Sequence, residues 1–145
     1  LKKYDHLNDG GWYAQGFDLI TGQRSDFLCL KPDSPRRDRD GKLIKYEHPR
    51  NRPTEIFVPA IPIPTANTIA FRAGGETFMA WEKFRDSYEG SPEFAIWEFA
   101  KTNAIALQVT EGFKKAASLC SQGYLAIAVP GIWNWIDQDA EKYIN

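Results

Sequence analysis

Three charged side chains within five residues, Glu111, Lys114 and Lys115, are the group in this sequence best placed for chemistry. They stand in the run Thr110-Glu-Gly-Phe-Lys-Lys-Ala-Ala, directly after the apolar stretch Ile105–Val109. A short apolar run of that kind reads as a strand buried in a parallel sheet. Gly112 permits the sharp turn or close backbone approach that a side chain would block. Phe113, Ala116, Ala117 and Cys120 then follow the i, i+3, i+4, i+7 stripe of an amphipathic helix. Glu111 is thus expected at the carboxyl end of a parallel strand, where open α/β sheets place their ligands. Lys114 and Lys115 fall in the first turn of the helix, where a cation opposes the helix dipole at roughly 0.3–1 kcal/mol each. A nearby anion relieves that cost, and either Glu111 or a bound phosphate can serve. Two solvated lysines on an outer helix face are the equally available alternative.

The elements that must position these groups continue downstream. Gly123 is placed to end the helix. Tyr124–Val129 is a second apolar run, closed by Pro130-Gly131. Two strands joined by a helix of this length form a βαβ unit with a right-handed crossover.

The stretch from Thr110 to Gly131 resembles the first half of a Toprim domain, the metal-dependent fold of bacterial-type primases, type IA and II topoisomerases and some nucleases. The shared pattern is an apolar strand, Glu-Gly, a helix with small and apolar residues, a glycine and a second apolar strand. The chain as a whole is similar to the Toprim-like family of uncharacterised domains in plasmid and phage replication proteins, from roughly Gly11 to Trp135. Leu30-Lys-Pro-Asp-Ser-Pro-Arg, Ile44-Lys-Tyr-Glu-His-Pro and Pro130-Gly-Ile-Trp-Asn-Trp carry that similarity beside the Glu-Gly-x-Lys-Lys-Ala core. The resemblance implies a general acid or base role for Glu111, with Gly112 and Gly131 in turns. It implies Mg2+ or Mn2+ in the full-length protein, held by an Asp-x-Asp after a third strand, and no metal ligand in this chain. Lys114 and Lys115 would meet a phosphate of nucleotide or template.

A length of 145 residues suits one domain or part of one. Five Trp and an aromatic share of 14% argue against disorder, and a net charge of −1 argues against a wholly basic nucleic-acid binder while permitting a local patch. No apolar run reaches the length of a membrane span, and no signal-peptide pattern is present. Cys29 and Cys120 stand far apart in apolar runs and read as buried free thiols, consistent with a cytoplasmic location. With His6 and His48 the only histidines, no structural zinc site can be assembled. P-loop, dinucleotide and nucleophile-elbow motifs are absent. The first residue is Leu1 and the last, Asn145, follows soon after the second parallel strand, which suggests a truncated domain.

Toward the amino terminus, Phe27–Lys31 reads as a strand that pairs with Leu43–Glu47 through the Asp40-Gly41 turn. Between Lys31 and Arg52 eight Lys or Arg face four acids. Arg36, Arg37, Arg39, Lys42 and Lys45, with Tyr46, could track a nucleic-acid backbone. A solvated loop whose charges partly cancel is the plainer reading. The four prolines between Arg52 and Pro64 predict an extended connector, with a subdomain boundary between Pro59 and Gly75. Helices are predicted over Glu76–Tyr88 and from Ser91-Pro92-Glu93 onward, their aromatics in the core. Asp137-Gln-Asp139 has the letters of a metal-binding pair but the context of a helix start, with both carboxylates in solvent.

The expected fold is therefore α/β: a Toprim-like βαβ half preceded by two helices and a β-rich amino-terminal part with a basic hairpin. Residues 1–64 form the β-rich subdomain, and 65–145 the helices and the first half of the Toprim-like domain. The expected function, on the resemblance, is part of a plasmid or phage primase or primase–helicase that binds single-stranded DNA or RNA template and nucleotides, with a possible helicase domain in the same polypeptide. A silent binding module and a nuclease or topoisomerase of the same fold are the competitors.

Overall fold

The computed structural model describes residues 2–49 and 55–129; Gly131 and the Asp137–Asp139 pair lie outside them. A 3-10 helix, Lys2–Leu7, leads into an antiparallel hairpin of β1 (Gly11–Phe17) and β2 (Arg24–Pro32). The connection is closed locally. Asp18 accepts the backbone N–H groups of Ile20 and Thr21 at 2.9 and 2.7 Å, an Asx turn that fixes the reversal. Strand β2 alternates, with Ser25, Phe27 and Cys29 buried.

This pairing corrects the hairpin expected from the Asp40-Gly41 turn. The ladder partner of β2 is β1, and the 43–47 segment contributes only the isolated bridges Leu30↔Glu47 and Arg37↔Leu43. Leu43 and Tyr46 are 39% and 37% exposed, so that segment has little apolar face to hold a full ladder. Its turn survives: Asp38 Oδ1 accepts the N–H groups of Asp40 and Lys42.

Helix α1 (Ile63–Ala73) occupies part of the stretch expected to be an extended connector. Its prolines sit at the N-cap (Pro62) and in the first turn (Pro64), where a missing N–H costs nothing and φ is already helical. Ala66, Ile69 and Ala70 form its buried stripe. The 64/65 division falls inside this helix. Helix α2 (Gly75–Ser87) buries Trp81, whose indole N–H donates to Asn67 Oδ1 at 2.8 Å. Helix α3 covers only Ala95–Ala100. Ser91 and Pro92 open a tight turn before it instead of capping it: the Phe94 N–H donates to the Ser91 carbonyl at 2.9 Å, and Pro suits the second position of such a turn.

Strand β3 (Leu107–Glu111), helix α4 (Phe113–Ser121) and strand β4 (Leu125–Val129) form the expected βαβ unit, with β3 and β4 parallel from Leu107↔Leu125 to Glu111↔Val129. Gly112 has φ +80° and Gly123 φ +85°, conformations that side chains rarely adopt, so both turns need glycine. Two details differ from expectation. Strand β4 is buried throughout, but Leu107 and Val109 of β3 are 45% and 52% exposed, and among the described residues β3 has a strand partner on one edge only. On α4 the buried residues are Ala116 and Cys120, while Ala117 is exposed.

A single core joins these pieces. Phe17, Val58 and Ile61 pack with Ile69, Trp81, Phe94, Trp97, Phe99 and the β4 side chains, so the α2 and α3 aromatics serve the interior as expected. The Phe57–Val58 dipeptide stitches the two sheets together: Phe57 bridges Ala128 of β4, and Val58 bridges Phe17 of β1. Among the described residues the fold is a mixed α/β domain with one parallel strand pair. Among the described residues no helix is long and apolar enough to cross a membrane.

Candidate functional site

Where the hairpin meets the carboxyl end of β3, the surface opens into a cavity of about 520 Å3. One wall is Glu111, Gly112, Phe113, Lys114 and Lys115, from the β3–α4 turn. Phe27, Cys29, Tyr46 and His48 face it from β2 and the segment bridged to it, with Phe57 and Ala128 between. Glu111, Gly112, Lys114 and Lys115, neighbours in the chain, thus share one side of the opening.

Each group is held by a local cause. Glu111 ends a strand and is exposed, where a core has no need of a charge. Helix α4 starts at Gly112 with no side chain capping it, so its amino-terminal dipole faces the same opening as the two lysines. Lys114 Nζ lies 5.1 Å from the centroid of the Trp12 ring, a cation–π contact that steadies it at the rim. Two ammonium groups and a helix start against one carboxylate leave the opening positive, an arrangement suited to a phosphate.

Phe113 is the centre of an aromatic cluster. Its ring packs edge-on against Trp12 (5.2 Å between centroids), Tyr46 (5.6 Å) and Phe57 (5.7 Å). The β3–α4 turn is therefore anchored by rings to β1, through Trp12, and to the segments that carry Tyr46 and Phe57. His48 lies flat on Phe27, with centroids 4.7 Å apart and planes within 6°. Its Nδ1 is 3.0 Å from the Leu28 carbonyl oxygen; only a protonated nitrogen can bond there, so Nδ1–H donates. Cys29 is buried, and burial pushes its thiol up to about 11, which keeps it protonated and inert. Cys120 is likewise buried and raised by burial. Both thiols are free.

The other predicted cations lie elsewhere. Arg36 binds Glu47, Nε to Oε1 at 3.0 Å and Nη2 to Oε2 at 3.2 Å, and Glu47 also meets His6 Nε2 at 2.6 Å. Burial opposes ionisation of Glu47, but Arg36 and His6 outweigh it and hold the carboxyl below the usual range. Arg36 is thus engaged in structure. Arg37 donates to the Gly41 carbonyl at 2.7 Å, across the hairpin tip. Arg39, Lys42 and Lys45 are exposed. None of the five lines the cavity. Sequence reasoning missed Trp12, His48, Phe57 and the site-facing role of Phe113. The one signal available was the alternation Tyr46-Glu-His48 in an extended segment, which puts two rings on one face.

Part of the chain matches a known family model. Residues 96–145 match "Domain of unknown function (DUF3854)", a span that includes β3, α4 and β4. An uncharacterized protein of Picosynechococcus sp. (strain PCC 7002) is 40% identical over 135 residues, which is 92% of this chain and 12% of that protein. The chain thus spans about an eighth of the length of the curated relative it matches. No solved structure matches it.

Among the described residues no three His, Cys, Asp or Glu side chains converge as a metal site. Glu111 is the carboxylate that lines the cavity, and one carboxylate alone does not hold Mg2+ without substrate phosphates or further acids.

Proposed function

We propose that this chain is the Toprim-like, nucleic-acid-binding part of a longer replication protein of the primase or primase–helicase type. A phosphate of single-stranded DNA or RNA, or of a nucleotide, sits at the start of α4 against Lys114 and Lys115. Glu111, beside it, accepts or donates the proton in nucleotidyl transfer by the whole protein. The observation that supports this is the cavity itself, which joins carboxylate, lysines and helix start at the carboxyl ends of two parallel strands. The acids that would complete a divalent-metal site are assigned to the rest of the longer protein. When bound there, the metal would neutralise phosphoryl charge. A binding module without chemistry is the second reading, favoured by Glu111 being the lone carboxylate among the described residues that line the cavity.

Lys114→Ala with Lys115→Ala should weaken binding of a single-stranded oligonucleotide and lower the salt slope, log K against log[salt], by about 1.4, for two lost phosphate contacts at about 0.7 each. An unchanged affinity and slope would return both lysines to solvated surface. Glu111→Gln in the full-length protein should abolish nucleotidyl transfer and leave the melting temperature unchanged, whereas retained transfer favours the binding module.

A further inference from the structure

The part of the cavity lining built by the chain around Glu47 has a construction of its own. Leu30 and Glu47 exchange both backbone hydrogen bonds at 2.8 Å, so the chain around Glu47 is extended and its side chains alternate. Glu47 turns away to Arg36 and His6 and is buried. Tyr46 and His48, one residue to either side, both turn into the cavity. Each ring is fixed before any ligand arrives: Tyr46 by edge-on packing against Phe113 (88°) and Trp12 (68°), His48 by its stack on Phe27 and its bond to the Leu28 carbonyl. Yet Tyr46 is still 37% exposed, and His48 is also exposed. Pre-ordered rings with open surface stack on a flat ligand at little entropic cost.

We propose that Tyr46 and His48 form a stacking subsite for one nucleobase, so that the cavity takes a single nucleotide, base against these rings and phosphate against Lys114 and Lys115. The placement rests on the phosphate reading above and adds to it the part of the ligand that carries no charge. A cavity of about 520 Å3 falls within the usual range of small-molecule sites. Flat rings that share a cavity with two lysines suit an anion that carries a heteroaromatic ring better than they suit inorganic phosphate or an acidic peptide. Because every base has a π-face, the subsite is tolerant of base identity.

Calorimetric titration of the 145-residue chain with adenosine 5′-monophosphate and, separately, ribose 5-phosphate separates the two contributions. The nucleotide should bind about 10-fold tighter, within the range of one stacked base. Tyr46→Leu and His48→Leu, which keep apolar bulk, should each erase most of that ratio, while Tyr46→Phe preserves it. Lys114→Ala with Lys115→Ala should weaken both ligands alike. Equal affinity for the two ligands in the unaltered chain, or a ratio untouched by both leucine variants, overturns the stacking subsite and leaves the phosphate reading standing. Binding of neither ligand overturns the phosphate reading, and the subsite with it.

Discussion

Phe113 is the side chain through which the β3–α4 turn packs on β1 and on the segments of Tyr46 and Phe57, and its removal tests whether the site is assembled by packing. Truncating a buried Phe to Ala costs about 3–5 kcal/mol, a figure that already includes the ring contacts. Phe113 is only partly buried, which lowers the expectation, but it touches three rings, Trp12, Tyr46 and Phe57, at 5.2–5.7 Å. Edge-to-face pairs contribute roughly 0.5–1.5 kcal/mol each beyond their area. The low end of the range, about 3 kcal/mol, is therefore expected for Phe113→Ala. For a chain of this length that corresponds to a fall in Tm of about 10 °C. Urea denaturation followed by tryptophan fluorescence measures the loss directly. Phe113→Leu should recover part of the stability because it refills the volume, but not the ring contacts. The ligand affinity of Phe113→Ala should fall even at temperatures where the variant is folded, since Tyr46 and Lys114 lose their common support. A cost below about 1 kcal/mol would show that the turn is held by the β3–β4 pairing alone and that the aromatic cluster is incidental.

Two further outcomes are expected. The Glu47 carboxyl is held below its ordinary range in the fold, so its stabilisation is present above about pH 4.3 and is lost as the pH falls through the lowered value. Glu47→Gln should cost roughly 3 kcal/mol at pH 7 and flatten the acid limb of a stability profile, and an unchanged acid limb refutes the assignment. Cys29, raised to about 11, should react with iodoacetamide at pH 8 at least ~100-fold more slowly in the folded chain than in urea, with Cys120 slowed as well; fast alkylation of the native chain contradicts the burial.

The βαβ unit was legible because its signals are local. Two apolar runs, a helical stripe and the glycines at 112 and 123 lie within 25 residues, and no distant contact is needed to interpret them. Helix α1 was hidden by Pro62 and Pro64, which suggest an extended chain unless they are recognised as sitting at a helix start. The hairpin partner was misassigned because Asp40-Gly41 is a strong turn signal. The reversal at Asp18 depends instead on a side-chain oxygen bonding two backbone amides, which no dipeptide pattern announces. Glu111, Lys114 and Lys115 could be chosen from sequence because they are neighbours. The rings that complete the cavity come from positions 27, 46, 48, 57 and 113, and only the folded chain makes them a wall.

The Phe57–Val58 stitch also sets how this chain can come apart. With Phe57 exchanging hydrogen bonds with Ala128 and Val58 accepting one from Phe17, no surface of slippage runs between the hairpin and the parallel strands. Opening either sheet strips a partner from the other, so the amides of Phe57 and Ala128 should exchange with deuterated solvent only when the whole molecule unfolds. Cutting the chain after residue 64 would remove a strand neighbour of β4 and leave two halves that fold only in each other's company.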